Sequence, residues 1–164
     1  MGTDAVDRII AAWAERDPQL DASALEVVGR LLLCSGHLQR AIVDALRPLG
    51  LSFGDFDVLN TLRRRGDPDG TNPSELAQSS LITTGAMTSR LDRLERAGLV
   101  TRVPSPTDRR AVLVRLTARG ERLAEQALVA VIATDEAFLE PLTERQRVWL
   151  AGSLKRLLAR TEIL

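Results

Sequence analysis

The tightest constraint on the fold comes from the stretch 72–116, where the period of the apolar residues changes partway along. Asn72-Pro73-Ser74-Glu75 opens a short helix. Asn is suited to the N-cap, and Pro fits the first helical position, where its missing N–H would have no partner. Ser79-Ser80 interrupts that helix. Thr83 or Thr84 can cap a second helix, with Met87, Leu91 and Leu94 on its inward face and Gly98 closing its end. From there the period falls from about 3.6 to about 2. Leu99, Thr101 and Val103 alternate with Val100 and Arg102, and Val112, Val114 and Leu116 alternate with Leu113 and Arg115. Between them runs Pro104-Ser105-Pro106-Thr107-Asp108-Arg109-Arg110, too polar for a core and therefore the tip of a β-hairpin.

The flanks read as helices. Residues 4–16 place Val6, Ile9, Ile10 and Trp13 on one face, and Asp17-Pro18 ends that pattern. A long helix is predicted over 23–46, with Leu25, Val28, Leu31, Leu32, Leu38, Ile42 and Leu46 as its apolar stripe, before Pro48 and Gly50 break the chain. Ser52-Phe53-Gly54-Asp55 resembles a capping box and leads into Phe56, Leu59 and Leu62, with Gly66 as the stop. After the hairpin, Thr117 starts a helix to about 139 whose apolar positions are Leu123, Leu128, Val131 and Ile132. Thr143-Glu144-Arg145-Gln146 caps a last helix carrying Val148, Leu150, Leu154, Leu157 and Leu158, with Trp149 expected in a core or a dimer contact. The fold class expected is mainly α with a small β-hairpin wing, a winged helix-turn-helix.

Composition excludes several alternatives. With 45% hydrophobic and 27% charged residues, the 164-residue chain can bury a real core and is not a disordered polymer. No run approaches the roughly 20 apolar residues of a membrane span, and the N-terminal residues lack a secretory pattern, so a cytoplasmic location is expected. One cysteine, Cys34, and one histidine, His37, are too few for a His/Cys metal site. No cofactor is called for, and no nucleophile–base pair or phosphate loop suggests an enzyme. Cys34, beside Leu31, Leu32 and Leu33, reads as a small buried hydrophobe rather than a redox switch.

Net charge is zero, but it is unevenly spread. Residues 63–122 hold twelve arginines against seven acidic side chains, whereas residues 1–29 hold two arginines against six. A basic interior module suggests a localised polyanion surface. With Met87, Leu91 and Leu94 turned inward, the outward face of the second helix presents Thr84, Gly85, Thr88, Ser89, Asp92 and Arg93. Small hydroxyl-bearing residues let a helix lie deep in a DNA major groove, and Thr83 at its start adds another hydroxyl. Arg109 and Arg110 at the hairpin tip suit a minor groove. Double-stranded DNA is the partner these residues imply. A helical protein-interaction adaptor is the reading they oppose.

The run from Gly85 to Gly120, including Asp108-Arg109-Arg110 and Val112-Leu113-Val114-Arg115-Leu116-Thr117, resembles the MarR family of transcriptional regulators. The resemblance implies an obligate homodimer on a palindromic operator, with half-sites about 34–36 Å apart. It implies 19–50 and 118–164 as a helical dimerisation region and 51–117 as the DNA-binding domain, leaving residues 1–18 as an extra N-terminal helix. It also implies that Asp108 holds the wing loop while Arg110 enters the minor groove. Asp7-Arg8-Ile9-Ile10-Ala11-Ala12-Trp13 further resembles the urate-responsive PecS/HucR-like subgroup. That likeness implies an effector site of Trp13, Asp57, Arg90 and Arg102. An aromatic face, a carboxylate for ring N–H donors and guanidinium groups for oxygens suit a purine anion. Phenolic or carboxylate effectors fit less fully, and a Cys34 redox sensor less still.

Overall fold

The computed structural model of the chain describes residues 2–79, 87–108 and 111–161. Thr83, Thr84, Gly85, Arg109 and Arg110 lie outside the described residues. The chain divides into two compact units, residues 1–41 and 42–164. In order come α1 (Ala5–Arg16), α2 (Leu25–Leu46), a 3-10 turn (Arg47–Leu49), α3 (Phe53–Arg65) and α4 (Pro73–Ser79). They are followed by α5 (Met87–Arg96), β1 (Val100–Pro104), β2 (Val112–Leu116), α6 (Ala118–Leu139) and α7 (Glu144–Thr161). The expected mainly helical architecture with one hairpin is the one observed. Among the described residues no helix is long and apolar enough to cross a membrane.

In the first unit α1 starts on a capping box. The Asp4 carboxylate accepts from the N–H groups of Val6 and Asp7, and the Asp7 carboxylate accepts from the Asp4 N–H. Val6 is buried against Gly29 of α2, where a Cβ would come within 3.1 Å of both Val6 methyls. Arg30 of α2 ties the two helices through Asp4 at 2.8 Å and Asp7 at 2.6 Å, and is steadied within α2 by Glu26 at 2.5 Å. The Asp7 N–H, and then Arg30, hold the Asp4 carboxyl below its ordinary value. Cys34 departs from expectation, because it is exposed rather than buried. The α2 face around it is uncovered in the single chain, and Leu32 is 70% exposed. Apolar neighbours in sequence do not bury a side chain unless another element packs over them.

In the second unit α3 is the central helix. Its capping box forms as the sequence implies: Ser52 donates from N and Oγ to Asp55 Oδ2, at 3.1 and 2.7 Å, and the Asp55 N–H donates back to Ser52 Oγ. Gly66 ends α3 at φ 61° and Gly98 follows α5 at φ 67°, left-handed positions that glycine takes without penalty. Val58, Leu59 and Leu62 pack with Leu76 of α4 and with Met87, Leu91 and Leu94 of α5 in one core. In α6 the predicted stripe is corrected. The buried positions are Gly120, Ala124, Ala127 and Val131, whereas Ile132 is exposed. Small side chains let α6 lie close to α3, and Arg63 of α3 seals the contact with Glu121 at 2.8 Å and Glu125 at 3.5 Å. None of the described side chains of α7 is buried, and Trp149 is 70% exposed, so it is not a core residue of the chain.

The hairpin is antiparallel, pairing Val100 with Leu116 and Arg102 with Val114. Thr71, in the loop before α4, bridges to Val114 by two backbone hydrogen bonds of 2.9 Å and extends the hairpin by one short rung. Asp67 holds that rung in place, accepting from Thr71 Oγ1 at 2.7 Å and from Arg65 at 2.8 Å. Arg65 also reaches Glu75 and Ser79 of α4. The helix-turn-helix and the hairpin are therefore linked by side chains as well as by the core.

Candidate nucleic-acid interface and effector site

The second helix of the pair, α5, presents two faces. Met87, Leu91 and Leu94 are buried, as their spacing predicts, and Thr88, Ser89 and Arg93 are exposed. Asp108 also lies at the surface, on the hairpin loop. Thr88, Ser89 and Arg93 thus share the outward side of α5, the helix against which the hairpin packs.

The first turn of α3 receives two arginines from α5. Arg93 pairs with Asp55, which is almost fully buried while the Arg93 side chain is 54% exposed. Burial alone would raise the Asp55 carboxyl. The hydrogen bonds from Arg93 and then Ser52 outweigh it and hold the carboxyl below its ordinary 3.8. One helical turn earlier on α5, Arg90 lies over Gly54, so that a Cβ there would sit 2.5 Å from the Arg90 Cζ. Arg90 Nε and Nη1 are buried without a hydrogen-bond partner among the described residues. Asp57 is 5% exposed and stands three residues beyond Gly54, on the same side of α3. A buried guanidinium with unmet donors costs free energy, and at a helix N-terminus the peptide dipoles oppose it further. An anion relieves both penalties.

The four residues expected to form an effector site are treated differently. Arg90 and Asp57 stand over the same side of the α3 N-terminal half. Arg102 is engaged with α5, donating from Nη2 to Asp92 Oδ1 at 2.6 Å and from Nη1 to Glu95 Oε2. Those carboxylates, Asp92 foremost, raise the Arg102 guanidinium above its ordinary value. Trp13 belongs to the first unit and is 45% exposed. Gly54, Glu95 and the Asp55–Arg93 pair were not singled out by sequence. The available signal was the i, i+3 spacing of Arg90 and Arg93, which sends two cations to one place. A groove of about 420 Å³ lined by Asn60, Arg63, Arg64, Glu121 and Leu128 lies elsewhere, between α3 and α6. Its Arg63 is already ion-paired, and Arg64 donates to Ser79 O.

The Asp55–Arg93 strut makes a measurable prediction. Asp55→Ala is expected to cost about 2 kcal/mol, the scale of hydrogen bonds to a charged group, read from urea unfolding. Because the folded-state value is depressed, the contribution is present above pH 3.8 and is lost as pH falls through the lower folded value. The gap between wild type and variant should be level over about pH 5 to 8 and shrink only in acid.

A helix pair with an outward polar recognition face and an adjoining hairpin defines a winged-helix DNA-binding module. The MarR family model matches residues 49–111. The chain is 35% identical over 151 residues to the HTH-type transcriptional regulator PecS of Dickeya dadantii, covering 92% of this chain and 91% of that one. Its fold is similar to that of a mutant MarR from E. coli complexed with operator DNA, with TM-score 0.70 and 30% identity, covering 89% of this chain and 97% of that one. It is also similar to a Mycobacterium tuberculosis MarR family protein in complex with DNA, with TM-score 0.61 and 34% identity over 79% and 96% of the two chains. The protein belongs to the MarR family of DNA-binding transcriptional regulators.

Proposed function

We propose that the protein is a repressor that binds a palindromic operator as a homodimer and is released by a small aromatic anion of the urate type. The observation that carries the effector reading is the Arg90 guanidinium, buried over Gly54 with two donors unmet among the described residues, on the same side of α3 as Asp57. An anionic ring supplies acceptors for Arg90 and, through its own N–H groups, donors for Asp57. Arg90 belongs to the same helix as the duplex-facing residues, so a ligand held there has a direct route to change how α5 lies. It does so only by its difference in affinity between the free and duplex-bound forms.

The remaining roles extend this reading. Trp13 is the proposed stacking surface, resting on the subgroup resemblance and its exposed indole. Arg102 joins the effector by exchanging Asp92 and Glu95 for the anion. Thr83, Thr84, Gly85, Thr88, Ser89 and Arg93 meet the major groove. Asp108 holds the loop from which Arg109 and Arg110 reach the minor groove. The homodimer is supported by the uncovered apolar residues of α2 and α7, Leu32, Val148, Trp149 and Leu158 among them. Relatives in Mycobacterium are named as transcriptional repressors, which supports repression as the outcome.

The test uses a duplex selected by the wild-type protein from a random-sequence library, titrated with urate, xanthine and salicylate. Urate is expected to release the duplex. Asp57→Asn is expected to retain duplex affinity within about twofold while losing release by urate. A variant released as readily as wild type removes Asp57 from the site. Release by salicylate with none by urate replaces the purine with a phenolic carboxylate.

A further inference from the structure

Arg102 is the side chain through which the hairpin grips the recognition helix. It sits mid-strand in β1, opposite Val114, the same residue that bridges to Thr71. Its Nη2 donates to Asp92 Oδ1 at 2.6 Å, its Nη1 to Glu95 Oε2, and its own backbone N–H to Glu95 Oε1 at 3.1 Å. One hairpin residue thus makes three hydrogen bonds to two carboxylates on neighbouring turns of α5. We propose that Arg102 is a positioning residue for duplex recognition, fixing the angle between wing and recognition helix and offsetting one of the two negative charges that α5 carries among its arginines. This rests on duplex binding and not on the effector reading.

Charge balance is the first support. Met87–Arg96 holds Arg90, Arg93 and Arg96 against Asp92 and Glu95. Bare carboxylates on a helix laid against phosphates oppose binding, and a cation shared between the two halves their net charge and so weakens that opposition. Leverage is the second. The chain from Arg102 to Asp108 reaches at most about 20 Å at roughly 3.3 Å per residue. A tilt of about 10° at Arg102 therefore moves the far end by up to about 3.5 Å, more than the length of a hydrogen bond. Ion pairs this exposed add little to folding stability. What the planar guanidinium adds is direction, since it engages both acceptors in a fixed fork that lysine cannot reproduce.

The test compares a library-selected duplex with a scrambled duplex of equal length, by fluorescence anisotropy on the full chain without effector. Arg102→Gln is expected to lower affinity for the selected duplex at least about tenfold, with a smaller loss on the scrambled one, so that the preference falls. Far-UV circular dichroism and melting temperature should stay near wild type. The swap Glu95→Arg with Arg102→Glu keeps one cation between two carboxylates and should restore most of the preference. Wild-type preference in Arg102→Gln overturns the proposal. So does a swap that folds and stays as weak as the single variant, because Arg102 would then be touching the duplex itself. Should Arg102→Gln fail to fold, the swap alone decides on the same reading.

Discussion

Gly120→Ala is expected to lower the melting temperature by roughly 6–12 °C, the shift that about 3 kcal/mol produces in a domain of this size. Thr117 caps α6 by accepting from the Gly120 N–H at 3.0 Å, while its own Oγ1 donates to Gly98 O at 2.8 Å and its N–H to Leu99 O at 3.0 Å. The first turn of α6 is thereby pressed onto the chain entering the hairpin. A Cβ on Gly120 would lie 1.9 Å from Leu99 O and 2.9 Å from Leu99 C. Both belong to the Leu99 backbone carbonyl, whose oxygen already accepts from the Thr117 N–H, so the group cannot swing aside as a side chain would. In an open helix the same substitution is worth about 1 kcal/mol of added stability. The sign of the change therefore distinguishes the two situations. Thermal unfolding decides it, and a shift under about 2 °C would mean that the α6 start yields without cost.

Gly54→Ala is expected to do the reverse, raising stability slightly while weakening the proposed effector response. Here the added Cβ would sit 2.5 to 2.7 Å from Cζ, Nη2 and Nε of Arg90, the mobile end of a long side chain. Arg90 swings out, its buried N–H groups return to water, and α3 gains the helix preference of alanine over glycine, about 1 kcal/mol. The melting temperature should hold or rise by a few degrees. Urate sensitivity in the duplex-release assay should fall at least about tenfold, equivalent to 1.4 kcal/mol. A melting temperature that drops by several degrees would mean the guanidinium has no alternative position. A response left intact would mean that Arg90 is not the cation that holds the effector.

These two glycines also mark how far the sequence can be read. Element order and most boundaries follow from local chemistry: Ser52 and Asp55 cap α3, Asn72-Pro73 opens α4, Gly66 and Gly98 terminate helices, and the change of period at Leu99 starts the hairpin. Each signal involves residues within a few positions of one another, so the string alone displays it. Depth along the long helices was less legible. Val131 is buried in α6 as its pattern predicts, but Ala124 and Ala127 are buried beside it in place of Leu123 and Leu128, chosen by how closely α3 approaches, which no one-helix pattern contains. Cys34 sits among leucines yet faces outward, because burial depends on what covers α2. The site divides in the same way. Met87, Leu91 and Leu94 declare the inward face of α5, and with it the outward one. The partners of Arg102 and the place of Arg90 over Gly54 depend on three elements meeting, and Asp92, expected on the duplex face, is held instead by Arg102.

The way α1 is fastened has a bearing on how the protein responds to its surroundings. One buried side chain, Val6, and one arginine of α2 paired with the partly exposed Asp4 and Asp7 hold that helix to α2. Such pairs fade as dissolved electrolyte accumulates, since the screening length shrinks from about 10 Å at 0.1 M to about 3 Å at 1 M. The helix that carries Trp13 is thus held by an ionic-strength-sensitive latch, so the salt content of the medium sets how firmly it is fastened.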